Sequence, residues 1–527
     1  MKDKLGKMVT PNNALHKNNL HPTHRPDVLT TLELLTTEAP IAFLDIRTRR
    51  SHVTAHPMFS VNAPLDCFEA KVASLFATNR PQILLIAEDP VHCEWARDYL
   101  LKQGFPEPVC VPCTASQWET FGLPTWGGEY TASKAFGEWV EQTGSIHSIE
   151  PKQAKTHPAA LQIDVRPAPE YRKFSIPNSV HCPTGRLGAL ATIPDQIHVH
   201  CAGRTRGIIA AQTLNDLQIP CSVAFISGGT QGWELSGETR VFDNVSSPPE
   251  LASERIEASR ADDLIARHSL PVVSPESLDS WLQANPTHQH IEVAEFSTTA
   301  AQIATTSLIQ STDQYIATHH IPVLISGPKP LDVLIAVLWL RRMGWQAMGY
   351  LGSLRLTEPD SSEVETATQA IDHTNRQWLD IRSSQAFQRS RVLGSRWHPR
   401  SAWHALDFEG EIGIVCDHNQ DLEWTQKILT KIGRPNTPVR LFTTIPKEAI
   451  DYANLSFAQP PSDQAVFFPD RHQGNLTDAK GYLDWEHGLL PQLSALAEVP
   501  WPAIESGANP SSHLCHFYRA FLQRHRA

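Results

Sequence analysis

The chain has 527 residues, 41% hydrophobic and 19% charged, with a net charge of −11. That balance is ordinary for a water-soluble protein of several globular domains and offers no basic stripe for nucleic acid. Nine cysteines spread over this length read as free thiols of a reducing compartment, and the strongest apolar run, Val333 to Leu340, is too short to cross a bilayer.

Residues Met1 to Arg25 are polar without an apolar signal core, so a disordered arm and a cytoplasmic location are expected. Leu44-Asp45-Ile46-Arg47 opens the ordered part, followed by a strand at Ile83 to Ala87 and a helix over Cys93 to Leu100. Cys110-Val111-Pro112-Cys113 is a lone CxxC; without a second pair it reads as two thiols at a strand end rather than a zinc or redox site. Gly127-Gly128 precedes a helix-like run at Thr131 to Val140. The Asp-x-Arg pattern returns at Ile163-Asp164-Val165-Arg166, and a strand at Ile197 to Cys201 leads into a helix starting near Gly207. Ser246-Ser247-Pro248-Pro249 breaks the chain before a helix over Glu250 to Arg267. Ile291-Glu292-Val293-Ala294 looks like a degraded third copy, with Pro322 to Ser326 and the helix Leu331 to Met343 behind it. Leu379-Asp380-Ile381-Arg382 is a fourth, followed by Ile412 to Cys416 and a helix over Leu422 to Leu429. Recurrence about every 90 to 130 residues means tandem domains rather than a solenoid. Apolar strands alternating with amphipathic helices imply parallel sheets covered on both faces, each with its site at the carboxyl ends of the strands.

Chemistry concentrates at Cys201. The thiol ends a strand and is followed by Ala202-Gly203-Arg204-Thr205-Arg206-Gly207, a loop with two arginines at the mouth of a helix. Loop amides, the positive helix end and two guanidinium groups favour a thiolate there, whereas an apolar core would not hold the arginines. Around it stand Asp164-Val165-Arg166, Glu170-Tyr171, Ile176-Pro177-Asn178-Ser179 and Gly228-Gly229-Thr230-Gln231-Gly232-Trp233. In that order the motifs resemble the rhodanese-like sulfurtransferase family, and the loop looks most like that of multidomain bacterial rhodaneses. Phosphatase and arsenate-reductase relatives of the fold need Cys-x5-Arg; here Arg206 falls one position early and Gly207 takes the seventh place.

The resemblance implies an α/β protein of tandem rhodanese-like domains, each a small parallel sheet flanked by helices on both faces. The expected division is an arm at 1–26, an inactive repeat at 27–126, a linker helix at 127–147, the catalytic repeat at 148–243 and a second linker helix at 244–270. Inactive repeats at 271–357 and 358–445 and a C-terminal extension at 446–527 complete it, the last containing Phe467-Phe468-Pro469 and Tyr482-Leu483-Asp484-Trp485-Glu486. The catalytic position aligns with Ala87 in the first repeat and with Ile325 or Ser326 in the third, neither able to carry a persulfide. Cys416 aligns in the fourth, but Cys416-Asp417-His418-Asn419-Gln420-Asp421 carries two acids and no cation, which disfavours a thiolate.

The resemblance also implies sulfur transfer through a Cys201 persulfide, from thiosulfate or a similar small anionic donor to cyanide or a thiol. Ala202, Gly203, Thr205 and Gly207 are expected to cradle the persulfide, and Arg204 and Arg206 to bind donor oxygens. Arg186 is expected on the facing loop as a further substrate contact. Arg166 pairing with Glu170 is expected to pin the turn, His200 to be a satisfied core group, and Gly228-Gly229 to bring Trp233 onto the domain. No cofactor or metal is required. The alternatives are a persulfide relay or scaffold for a sulfur-metabolism protein, and a phosphatase on the same fold. Nucleic acid and membrane are not expected partners, and the chain is expected as a monomer or homodimer.

Overall fold

The computed structural model describes residues 33–112, 125–157, 160–245, 249–296, 302–354, 377–405, 411–417, 467–504 and 513–526, with shorter pieces between 425 and 465. The arm at 1–26, Cys113 and residues 418–421 after Cys416 lie outside them. Among the described residues no helix is long and apolar enough to cross a membrane.

Four sheets with parallel cores follow one another along the chain, flanked by helices. The second is wholly parallel, in the order Val180–His181, Leu161–Asp164, Gln196–His200, Ser222–Ile226, His147–Ile149. The first is built on Ile41–Asp45, Val61–Asn62, Gln82–Ala87 and Val109–Pro112, the third on Gln289–Glu292, Pro322–Ser326 and Gln346–Tyr350, and the fourth on Gln377–Asp380, Arg396–Trp397, Ile412–Val415 and Val439–Phe442.

The Asp-x-Arg pattern has one physical cause in three of these sheets. A carboxylate buried at a strand end needs a partner. Asp164 finds it two residues on, where Arg166 donates from Nε at 2.9 Å and from Nη2 at 2.7 Å. Arg47 does the same to Asp45 at 2.9 and 2.6 Å, and Arg382 to Asp380 at 3.0 and 2.7 Å. In each case Nη2 also donates to a carbonyl eight residues along, that of Ala55, Phe174 or Ser390. Each is the C-cap of a six-residue helix, whose last carbonyls lack partners within the helix. Thus one arginine neutralises the acid and closes the helix. Arg166 was expected to pair with Glu170; that carboxylate lies 4.0 Å away and is taken by Arg206. In the third sheet Ala294 removes the guanidinium, and Glu292 accepts instead from Gln302 at 2.9 Å.

Strand register corrects one alignment. Asp45, Asp164 and Asp380 pair with Ile86, His200 and Val415, so Ala87, Cys201 and Cys416 occupy equivalent positions. Glu292 pairs with Ser326, which puts Gly327 at that position rather than Ile325 or Ser326. The backbone passes so close there that a Cβ on Gly327 would lie 2.3 Å from the Val293 carbonyl oxygen.

The sheets are interlocked rather than strung out. Thr318–His319, from the third region, pairs antiparallel with Ile41–Asp45 of the first sheet. One apolar core draws residues from the second and third sheets and from the C-terminal segment, including Leu489, Leu493, Trp501 and Phe517. A second core joins the first and fourth sheets, through Phe68, Trp95, Ile414 and Trp403 among others. The helix Thr131–Thr143 packs against both Thr205–Asp216 and the C-terminal helix Leu476–Leu496.

Candidate active site

Cys201 follows directly on the strand Gln196–His200, and the helix Thr205–Asp216 begins four residues later, slightly ahead of the expected start at Gly207. The thiol residue is only 2% exposed. The amides of Thr205, Arg206 and Gly207 open the helix, where no partner is available within it, and its positive end favours an anion. The loop carbonyls are held elsewhere: Cys201 O accepts from the Thr230 amide at 2.9 Å and Ala202 O from the Gln231 amide at 3.1 Å. Gly228-Gly229 therefore does more than admit Trp233. With φ of +54°, Gly229 lies so close that a Cβ would stand 2.2 Å from the Cys201 carbonyl oxygen.

Cys201, Ala202, Gly203, Arg204 and Arg206 line a cavity of about 260 Å³. Glu170, Lys173, Phe174 and Gln231 border it from the same region, and further walls come from elsewhere along the chain: Glu129, Tyr130 and Lys134 at and before the helix Thr131–Thr143, Gln310 from the third region, and Phe467, Arg471, His472, Tyr482 and Trp485 from the C-terminal segment. Gly128 lets that segment seat, since a Cβ there would strike Trp485 at 2.2 Å.

The arginines are placed differently from expectation. Arg204 donates at 2.9 Å to each carboxylate oxygen of Glu138 and also to Glu141. Arg206 forks onto Glu170 at 2.7 and 2.9 Å and, like Cys201, borders the cavity. Both guanidinium groups are thus paired with carboxylates while still bordering the cavity. The Thr205 hydroxyl, as distinct from its amide, is engaged, donating from Oγ1 to Glu486 Oε1 at 2.9 Å. Arg186 is not at this site. It is buried among Glu257 at 3.2 Å and Asp332 at 3.4 Å, bordering a different, largely apolar cavity with Tyr171, Cys182 and Phe296.

Glu486, whose role the sequence did not show, ties the C-terminal segment to the loop. It is fully buried, accepts from Lys134 Nζ at 2.8 Å, and lies against the loop, where a Cβ on Gly203 would be 2.7 Å from its Oε2. Burial opposes both charges, but their mutual attraction keeps Glu486 below and Lys134 above their ordinary pKa values. Lys134 and Glu138 sit one turn apart on the helix Thr131–Thr143, charged positions on a buried face. That pattern was the available signal for this contact.

His200 is a core group. Burial pushes it down to about 4, so the ring is neutral, with Nε2 2.7 Å from Ser179 Oγ. Burial opposes ionisation of Asp164, but the attraction of His200 and Arg166, with bonds from Arg166 and Ser175, holds its carboxyl well below the usual range. Cys182, by contrast, is buried and driven up to about 12, an inert thiol. Cys416 is fully buried, its Sγ 3.9 Å from the Phe442 carbonyl oxygen. Cys110 Sγ donates to the Cys93 carbonyl at 3.7 Å. Among the described residues no group of three or more His, Cys, Asp or Glu side chains is placed to hold a metal ion.

The rhodanese-like domain family matches residues 150–236, the stretch that carries the Asp164–Arg166 fork, Cys201 and the Gly228-Gly229 contact. Residues 150–236 form a rhodanese-like domain. The match does not extend to the other three sheets. The whole-chain fold is similar to that of a thiosulfate sulfurtransferase from Pseudomonas aeruginosa, at 22% identity over 88% of this chain and 96% of that chain, with a TM-score of 0.75. A rhodanese-related protein from Thermoplasma volcanium aligns at 27% identity over 18% of this chain and 97% of that one, TM-score 0.17. A 3-mercaptopyruvate sulfotransferase from Escherichia coli aligns at 15% identity over 40% of this chain and 99% of that one, TM-score 0.20. No curated protein sequence matches the chain. Within the rhodanese-like domain the loop Cys201 to Gly207 supplies the floor of the cavity, and the roof comes from outside the domain.

Proposed function

We propose that the protein is a sulfurtransferase that works through a persulfide on Cys201. The observation that carries this reading is a thiol on the floor of a polar cavity, at the positive end of a helix, within a rhodanese-like domain. The Cys201 thiolate attacks the outer sulfur of thiosulfate or a donor of the same kind. The new Cys–S bond forms as the sulfur–sulfur bond of the donor breaks, and its electron pair leaves with sulfite. A cyanide or thiol acceptor then attacks the outer persulfide sulfur and returns the thiolate. Free amides of the loop and the first helical turn hold the anionic sulfur through both steps.

We further read the first, third and fourth sheets as inactive relatives of the second. The position of Cys201 is Ala87 in the first and Gly327 in the third, and Cys416 in the fourth is closed into a core.

Thiosulfate:cyanide turnover and mass spectrometry of the Cys201 peptide test the reading. Wild type is expected to form a persulfide and turn over; Cys201→Ala is expected to do neither; Cys416→Ala is expected to match wild type. Loss in Cys416→Ala alone would move the site to the fourth sheet. A persulfide on Cys201 without turnover by any small donor and acceptor would favour a relay to a protein partner.

A further inference from the structure

The two arginines of the loop are neutralised by carboxylates, yet a thiolate attacking an anion needs positive charge facing the incoming group. Lys134 is taken by Glu486, and Lys173, which also borders the cavity, is exposed to solvent. His472 is pushed down to about 3 by burial and by Arg471, so its ring is neutral at ordinary pH.

Among the described residues lining the cavity, Gln231, Arg471 and His472 each keep a buried polar atom without a hydrogen bond. Arg471 donates from Nη1 to the carbonyls of Phe467 and Phe468, the second at 3.4 Å, and its plane lies 4.4 Å from the centre of the Tyr482 ring. Among the described residues no carboxylate pairs with it, and its Nε is buried without a hydrogen bond. Gln231 is 0% exposed, and neither Nε2 nor Oε1 has a partner. Its backbone is tied to the Cys201 loop through Ala202, and Nε2 would lie 3.6 Å from a Cβ on Gly203. A buried amide unsatisfied at both ends costs stability, and a polar ligand bound beside it would offset that cost. Both side chains line the Cys201 cavity.

We propose that Gln231 and Arg471 form the oxyanion subsite of this cavity, binding the oxygens of a small anionic donor and of the anion that leaves it. Gln231 belongs to the rhodanese-like domain; Arg471 is brought by the C-terminal segment. Half of the subsite is thus supplied from outside the domain that carries the nucleophile. The proposal rests on Cys201 being the reactive thiol, and its test does not require sulfur transfer.

The full chain is alkylated with iodoacetate, an anion, and with iodoacetamide, its neutral counterpart, and the rate is read at the Cys201 peptide by mass spectrometry. Arg471→Gln is expected to lower the iodoacetate-to-iodoacetamide rate ratio roughly tenfold, as loss of a charged hydrogen-bond partner does. The iodoacetamide rate itself should stay within about twofold. Arg471→Lys should retain most of the ratio. Gln231→Leu, which replaces an unsatisfied amide by an apolar group of similar size, should fold at least as well as wild type and also lower the ratio. An unchanged ratio in both Arg471→Gln and Gln231→Leu, or an equal fall with both reagents, would overturn the subsite. Failure of thiosulfate to persulfidate wild-type Cys201 would instead overturn the sulfur-transfer reading, and the reagent ratio would still decide the subsite.

Discussion

At Gly229 two independent reasons require the absence of a side chain. Its φ of +54° is costly for any residue with a Cβ, and that Cβ would stand 2.2 Å from the carbonyl oxygen of Cys201. The contact orients the peptide of Cys201 itself, since the neighbouring Thr230 amide donates to the same oxygen. Gly229→Ala is expected to cost about 3 kcal/mol, combining left-handed strain with overpacking. It should also slow alkylation of Cys201, because the loop must move to make room. Urea denaturation and thiol-labelling rates check both; an unchanged midpoint with an unchanged labelling rate would show that the loop is held by something else. The arginines, too, divide by role. Arg166 serves a fold element that recurs at Arg47 and Arg382, whereas Arg204 and Arg206 steady a loop that occurs once in this form.

At the scale of elements, the helix Thr131–Thr143 is more than a spacer. It lies between the helix that begins at the Cys201 loop and the C-terminal helix Leu476–Leu496, and the Lys134–Glu486 pair crosses the second of these contacts. Both charges are buried, so removing one leaves the other stranded. Lys134→Met and Glu486→Leu are each expected to destabilise the protein by about 3 kcal/mol, while the double variant loses less than either. A double-mutant cycle on urea midpoints measures this, and additive losses would show the pair to be uncoupled. The Asp-x-Arg motif was legible because its partners are two and eight residues apart along one turn. The partners of Arg204, Thr205 and Lys134 lie 66, 281 and 352 residues away, where no local periodicity reports them. The Tyr482 to Glu486 segment stood out in the sequence by family likeness, but nothing in it said which loop it would cover.

Across the whole molecule, burial has collected titratable groups that resist charging. Burial pushes His200 and His290 down to about 4 and His472 and His513 down to about 3, from an ordinary value of 6.5. The unfolded chain takes up protons below pH 6.5 that these folded histidines refuse, so their stabilisation is complete above that pH and is lost as pH falls toward 4. Glu295 and Asp313, raised by burial to about 7 and about 6, act in the opposite sense, losing stability as pH rises through those values. The histidines outnumber them. The urea midpoint is therefore expected to fall between pH 7 and pH 5; a flat or rising midpoint over that range would refute the balance.

The sequence alone determined the α/β class, the nucleophile candidate at Cys201 and the repeating strand-end carboxylate, because each is written in short-range spacing: apolar periodicity, a thiol before a Gly- and Arg-containing turn, an acid two residues from its arginine. Tertiary structure decided what surrounds the thiol. It placed Glu138 and Glu170 on the loop arginines, carried Arg186 away to Glu257 and Asp332, brought Arg471 to the cavity and set Glu486 against Thr205. The physical reason is that a charge's partner is chosen by the packing of distant elements into shared cores, and only that packing determines which arginine is paired with a carboxylate and which is not.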